Sequence, residues 1–212
     1  MSPYLRFAAL AIVVPLAVGC SSEPTATPEL AAQWWQWTKS APAPVNPVRD
    51  LSGEHCAVGQ TGSVWFLAGG YGSSKIRRRC TVPADQALFF PVINMVHYPH
   101  PNGAEYTCDR AKTDAAVNND TALELFAELD GVSIEIGEQQ RIRSEDCFDI
   151  FERVSPRPDG LRGYPSATDG FWLLLQPLEP GTHSLKFGGR YNAESGSFGK
   201  MIQDIEYQLI VN

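Results

Sequence analysis

At 212 residues the chain is long enough for one substantial domain and short for two. Apolar residues make up 43% and charged residues 19%, a globular balance that sets disorder aside, and the 18 glycines and 16 prolines suit many turns between short strands. A formal net charge of −7 argues against nucleic acid or anionic lipid as partners recruited by charge.

The first residues set Arg6 before an apolar run, Phe7 to Val18, which Pro15 interrupts and Leu16-Ala17-Val18-Gly19-Cys20 closes. A bilayer span needs about 20 apolar residues, and this run is shorter. The arrangement resembles a bacterial lipoprotein signal peptide, with Ala17 where Leu is usual and Leu16 one step earlier. The resemblance implies that residues 1–19 are removed, that Cys20 is acylated with diacylglyceryl and palmitate-type chains, and that the lipid bilayer is a partner through Cys20. Ser21 in place of Asp points to the outer membrane if the cell is Gram-negative, and in any case to a lipid-anchored place in the cell envelope. Two or more acyl chains at about 0.8 kcal/mol per buried CH₂ make such an anchor stable. Residues 20–28, rich in Ser, Thr and Pro, read as an extended tether, and 29–212 as a single domain.

With Cys20 lipidated, the five cysteines leave an even set, Cys56, Cys80, Cys108 and Cys147, as a disulfide framework in an exported protein requires. Four cysteines allow three pairings, and loop length alone favours Cys56 with Cys80 and Cys108 with Cys147. The first bridge would close a loop of roughly 25 residues and remove about 3 kcal/mol of unfolded-state freedom. A zinc cluster is not indicated, since no C-x-x-C pair is present.

In chain order, Thr27 can cap a helix with Pro28 in its first turn and Glu29 near the positive end of its dipole. Leu30, Trp34 and Trp37 then share one face, Trp35 lies off that stripe, and the helix must stop before Pro42. The following APAPVNPVRD reads as extended. Val64 to Ala68 and Ala87 to Ile93 are near-continuous apolar runs, which predict strands buried on both faces. Between them, Gly69-Gly70-Tyr71-Gly72 lacks the lysine spacing of a phosphate loop and reads as a hairpin turn. Lys75, Arg77, Arg78 and Arg79 follow; on a strand Arg77 and Arg79 share one face and Arg78 the other, with Ile76 and Cys80, and the cluster reads as a charged edge strand.

From Met95 to Asp120 the periodicity vanishes, and the stretch reads as a long loop stapled by Cys108. His97 and His100 lie three apart here with Glu105 and Asp109 nearby as candidate metal ligands, although Pro99 and Pro101 exclude a helical metal motif there. Thr121 to Phe126 predicts a short helix. Asp130-Gly131 between Ala127-Glu128-Leu129 and Val132-Ser133-Ile134-Glu135-Ile136 is a strong two-residue hairpin signal. Arg141 to Phe151 predicts a further strand, Val154 to Asp169 a second loop, Phe171 to Leu175 a buried strand, Pro180-Gly181 a turn, and Ile205 to Val211 a half-buried closing strand.

Eight or nine short strands with hairpin connections predict a mainly β fold, an antiparallel, jelly-roll-like β-sandwich with one or two short helices. The stretches WWQW, GEHCAVGQTGSVWFLAG, RRCTVPADQALFFPVIN, DGFWLLLQPLEPGTHSLKFGG and IEYQLIV resemble an uncharacterised family of exported bacterial β-sandwich proteins. That resemblance supports the fold and the export, and implies no catalytic residue.

Two functional readings compete. In the first the domain is an envelope binding or structural module for a glycan or an envelope protein, with Trp35, Tyr71 and Tyr98 as the aromatic candidates for ligand contact. The second is a metal-dependent hydrolase holding a divalent metal through His97 and His100. No cofactor is otherwise predicted. A serine hydrolase finds no G-x-S-x-G, and Ser195 and Ser197 sit in a Gly/Ser stretch.

Overall fold

The computed structural model describes residues 24–100, 103, 105–192 and 199–212. The signal segment, Cys20, Pro101, Ser195 and Ser197 lie outside the described residues.

Helix α1 (Pro28–Ser40) is followed by β1 (Val64–Phe66), β2 (Ser74–Val82), β3 (Ala87–His97) and α2 (Cys108–Asn119). Then come β4 (Ala122–Leu129), β5 (Val132–Ser133), β6 (Arg141–Arg143), β7 (Ala167–Leu175), β8 (Gly181–Asn192) and β9 (Lys200–Val211). The first sheet runs β1-β3-β7-β6 and the second β2-β9-β8-β4-β5. The fold is thus a mainly β, two-sheet sandwich with two short helices, as the strand pattern predicts.

Strand β3 explains its own apolar run. Leu88, Phe90 and Val92 enter the core between the sheets with Leu185, Phe187, Ile205, Tyr207 and Leu209. Phe89 points the other way, into a second cluster with Trp34, Trp37, Phe66 and Trp172. A strand covered on both faces has no polar positions to alternate with. Helix α1 closes the outer face of the first sheet, and Trp172 of β7 stacks on Phe89 at 5.1 Å. Each large side chain so buried is worth about 1.5–3 kcal/mol. Strand β9 has one buried face instead, and Ile205, Tyr207, Leu209 and Val211 alternate with more exposed neighbours.

The cysteines pair as Cys56–Cys80 and Cys108–Cys147. The basic strand β2 is an edge of the second sheet, with Arg77 exposed and Arg78 buried beside Ile76 and Cys80. Helix α1 begins where the cap signal puts it: Thr27 Oγ1 accepts from Leu30 N–H at 3.2 Å. Asp130 and Gly131 both hold positive φ, 50° and 83°, at the tip of the β4–β5 hairpin, which a type I′ turn requires.

Several expectations are corrected. The Gly69 to Gly72 stretch is a crossover, not a hairpin turn, because β1 belongs to the first sheet and β2 to the second. Strands β1 and β2 pair in parallel with β3 and β9, so the sheets are mixed, with antiparallel pairing elsewhere. Met95 to Asp120 is no single loop: β3 continues to His97, and α2 occupies its second half, capped by Thr107. The helix escapes a hydrophobic reading because its buried residues are Ala111, Ala115, Asn118 and Asn119, with no large apolar side chain among them. Thr121 to Phe126 is not helical; ALELFAEL consists of good helix formers, yet pairing with β8 holds it as a strand. The strand expected over Arg141 to Phe151 is confined to Arg141–Arg143, and the loop expected to run to Asp169 ends at Ala167, where β7 begins. The segment after α1 includes a 3₁₀ turn, Ala43–Val45, rather than being wholly extended.

Candidate functional site

The three tryptophans of α1 each spend their indole N–H on a different segment. Trp34 Nε1 donates to Leu67 O at 2.9 Å, Trp35 Nε1 to Thr168 Oγ1 at 2.8 Å and Trp37 Nε1 to Val58 O at 2.8 Å. These bonds lock the helix against β7 and the segments flanking β1, and buried Trp needs such partners. Trp35, off the apolar stripe of the helix, is nonetheless 9% exposed, and Gln36 is buried too, donating to Asp149 O at 3.0 Å and Glu152 Oε2 at 2.7 Å.

Beside Trp35 lies a cavity of about 260 Å³. Tyr98, just past the end of β3, forms another part of its wall, packed edge-on against Phe151 at 5.4 Å. Tyr71, on the crossover between the sheets and 51% exposed, borders it as well. The three aromatic candidates for ligand contact, 36 and 27 residues apart in sequence, therefore meet around one cavity. Its more apolar lining includes Met95, Val48 and Met201.

Buried hydrogen bonds hold the crossover in place. Gln203 Nε2 of β9 donates to Gly70 O at 2.7 Å. Arg78, 3% exposed, donates through Nε to Asp50 O at 2.7 Å and through Nη1 to Ala68 O at 2.8 Å and Tyr207 Oη at 3.1 Å. Its guanidinium also lies over the Tyr207 ring, 5.4 Å from the centroid. The Arg fork thus ties together two segments that lead to the cavity, at Val48 and Asp50 and at Ala68, from a strand that contributes no lining residue.

Charge is distributed unevenly around this cavity. Lys39 and Lys200 line it, and no Asp or Glu does among the described residues. Lys39 Nζ sits 3.5 Å from Tyr98 Oη and 5.2 Å from that ring's centroid. Arg49 stands over Tyr71 at 6.0 Å. Asn94 borders the cavity with an Nδ2 that has no hydrogen-bond partner among the described residues. Burial pushes the Tyr191 phenol, also in the lining, above its ordinary value, so it stays a hydroxyl donor.

The histidine candidates lie elsewhere. His97 ends β3 within the electrostatic reach of α2; burial holds its pKa below the ordinary value, with Asp114 opposing and Arg110 reinforcing that shift. Asp114 is engaged by Tyr106 Oη at 2.9 Å and Arg110 Nε at 2.8 Å. His100, Glu105 and Asp109 are exposed. Among the described residues no three His, Cys, Asp or Glu side chains converge as a metal site, so His97 and His100 gain no further donor there.

Lys39, Asn94, Tyr191, Lys200, Met201 and Gln203 are among the lining residues that the sequence does not single out. They carry no motif, and only the packing of the two sheets and α1 brings β3, β9 and the helix to one place.

No protein-family model matches the chain, and no curated protein matches it significantly. Among solved structures, the cysteine protease inhibitor EhICP2 from Entamoeba histolytica is similar over 63% of this chain and 86% of its own, at 14% identity and a TM-score of 0.23. A likeness that slight carries no argument about fold or function.

Proposed function

We propose that the chain is a lipid-anchored envelope protein whose sandwich domain works as a binding module, taking its ligand in the cavity bordered by Trp35, Tyr71 and Tyr98. The lipoprotein-like N-terminus supports the anchor, and two disulfides suit an oxidising, exported setting. The observation that carries the module reading is the convergence of three aromatic rings from remote segments on one concave site, the usual form of a small-ligand pocket.

Metabolic labelling with an alkyne palmitate analogue tests the anchor: the wild-type chain is tagged and Cys20→Ser is not, whereas equal labelling or none refutes lipidation. For the site, solubilised envelope glycans are titrated against the purified lipidated protein with tryptophan fluorescence as the signal. Tyr71→Ala and Tyr98→Ala each weaken binding about tenfold, since truncating an aromatic anchor costs upward of about 1 kcal/mol. Unchanged affinity in both variants removes the cavity from the reading.

A further inference from the structure

The geometry points to a specific class of ligand for this cavity: a single six-membered ring bearing a carboxylate, held by its ring against the aromatic wall and by its charge between Lys39 and Lys200. The inference rests on the binding-module reading and narrows it.

Three observations carry it. The first is electrostatic. The chain has 24 acidic and 17 basic residues, yet the described lining has two lysines and no carboxylate, and a third cation, Arg49, stands at Tyr71. Against an acidic surface, a site with only cations concentrates anions. Neither lysine is paired with a carboxylate among the described residues, while Lys75 and Lys186 on the second sheet are, with Asp204 at 3.4 Å and Glu128 at 3.1 Å.

The second is the inventory of hydrogen-bond donors. The lining offers the ammonium groups of Lys39 and Lys200 and the hydroxyl of Tyr191 as donors, whereas Asn94 Nδ2, without a partner among the described residues, is itself closed to solvent. The Gln203 amide is already committed to Gly70 O and the Trp35 indole to Thr168, so the donors left for a ligand are Lys200, the Tyr191 hydroxyl and Lys39, whose one contact, to Tyr98 Oη, is long at 3.5 Å. Donors without a facing acceptor select a group that only accepts, as a carboxylate does.

The third is shape. At about 260 Å³, below the roughly 300–1,000 Å³ of drug-sized sites, the cavity has room for one ring, and any further ring of a chain would lie outside it. Aromatic walls at Trp35 and Tyr98 and an apolar lining at Met95 and Met201 would be wasted on a bare inorganic anion. A ring satisfies them by stacking and apolar contact.

The chain itself supplies a reporter. It has 3 methionines, Met1, Met95 and Met201, and the last two line the cavity. Full-length protein labelled with ¹³C-methyl methionine and held in detergent is titrated with glucuronate, glucose, 4-hydroxybenzoate, phenol and inorganic phosphate. A carboxylated ring moves the Met95 and Met201 methyl signals together. Its neutral counterpart binds about tenfold more weakly, as loss of a charge-assisted contact of at least 1.4 kcal/mol requires. Lys200→Gln, at an exposed position that leaves the fold intact, and Lys39→Gln each remove most of that preference; the ligand-free methyl spectrum confirms folding. Whether glucuronate or 4-hydroxybenzoate binds more tightly tells a sugar acid from an aromatic acid within the class. Glucose binding as tightly as glucuronate overturns the charge selection and leaves the module reading standing. Phosphate alone moving the signals overturns the ring. Silence from all five probes overturns the ligand class while the glycan titration still judges the module.

Discussion

Replacing Arg78 by methionine probes whether one buried cation holds the cavity and the two sheets together. Methionine keeps much of the aliphatic stem and removes the fork, so the carbonyls of Asp50 and Val48 lose their donor, and that of Ala68 keeps only the Tyr207 hydroxyl at 2.8 Å. Hydrogen bonds to a charged group are worth about 1.5–3 kcal/mol each, and three such bonds at 2.7 to 3.1 Å set an upper bound well above what will be measured. Against it stands the desolvation of the guanidinium, several kcal/mol, which the neutral side chain no longer costs. The Asp50 carbonyl lies in a partly exposed loop and can turn to water, which leaves a net loss of about 2–4 kcal/mol. For a chain of this size that lowers Tm by about 5–15 °C. Urea titration should show the midpoint falling at unchanged slope, and the loss should persist in 1 M salt, since the interactions are buried. Arg78→Lys should recover less than half, because a point charge cannot span carbonyls on two segments. A methionine variant within about 0.5 kcal/mol of wild type, or more stable, would show that desolvation outweighs the bonds, and the account of Arg78 as the clamp would fall.

The remaining predictions concern the framework. Cys56→Ser with Cys80→Ser, and separately Cys108→Ser with Cys147→Ser, should each cost about 3–4 kcal/mol from loop closures of 24 and 39 residues, read by urea unfolding; a loss under about 1 kcal/mol would discount the bridges as staples. Protonated His183 donates from both ring nitrogens, to Asp130 Oδ2 at 2.7 Å and to Glu179 O at 2.9 Å, and the Asp130 carboxylate, followed by the Glu179 carbonyl, raises its pKa above the ordinary value. Its contribution is therefore complete below the unfolded value of about 6.5 and is lost as pH rises through the raised folded value. His183→Gln should flatten the stability profile across that window by under about 1 kcal/mol, given the solvent exposure of Asp130; an unaltered profile would sink the pairing. The same Asp130, lowered first by the Ser184 N–H and then by His183, loses its contribution as pH falls through its folded value. Gly53 holds φ 90° against the Arg79 backbone, so Gly53→Ala combines strain with a clash and should cost at least about 2 kcal/mol by thermal melt, whereas Gly131→Ala, with open space around it, should cost about 1 kcal/mol; equal losses would refute the close approach.

What was legible from sequence had a local cause. The Thr27 cap, the stop before Pro42, the Asp130-Gly131 turn and the alternation from Ile205 to Val211 each depend on neighbours a few residues away. For the four cysteines after Cys20, the shortest loops pointed to the observed bridges. Helix α2 was missed because its buried face is Ala and Asn, small enough to pack closely against β7 and β3 without an apolar signature. Strand β4 was missed because its residues prefer a helix in isolation, and the ladder to β8 outweighs that preference of a few tenths of a kcal/mol per residue.

By itself, then, the amino-acid order determined the buried runs of β3 and β7, the alternation of β9, where α1 begins and ends, and that the chain builds a β core with two covalent staples. Tertiary structure decided the rest: that β1 and β2 part into different sheets, that Arg78 is buried, and that Trp35, Tyr71, Asn94, Tyr98 and Lys200 surround one cavity. The physical reason is separation along the chain. Periodicity and capping act within one or two turns, whereas the pairing of β2 with β9 joins residues such as Ile76 and Ile205, and the same edge pattern is compatible with other partners until the whole core is assembled.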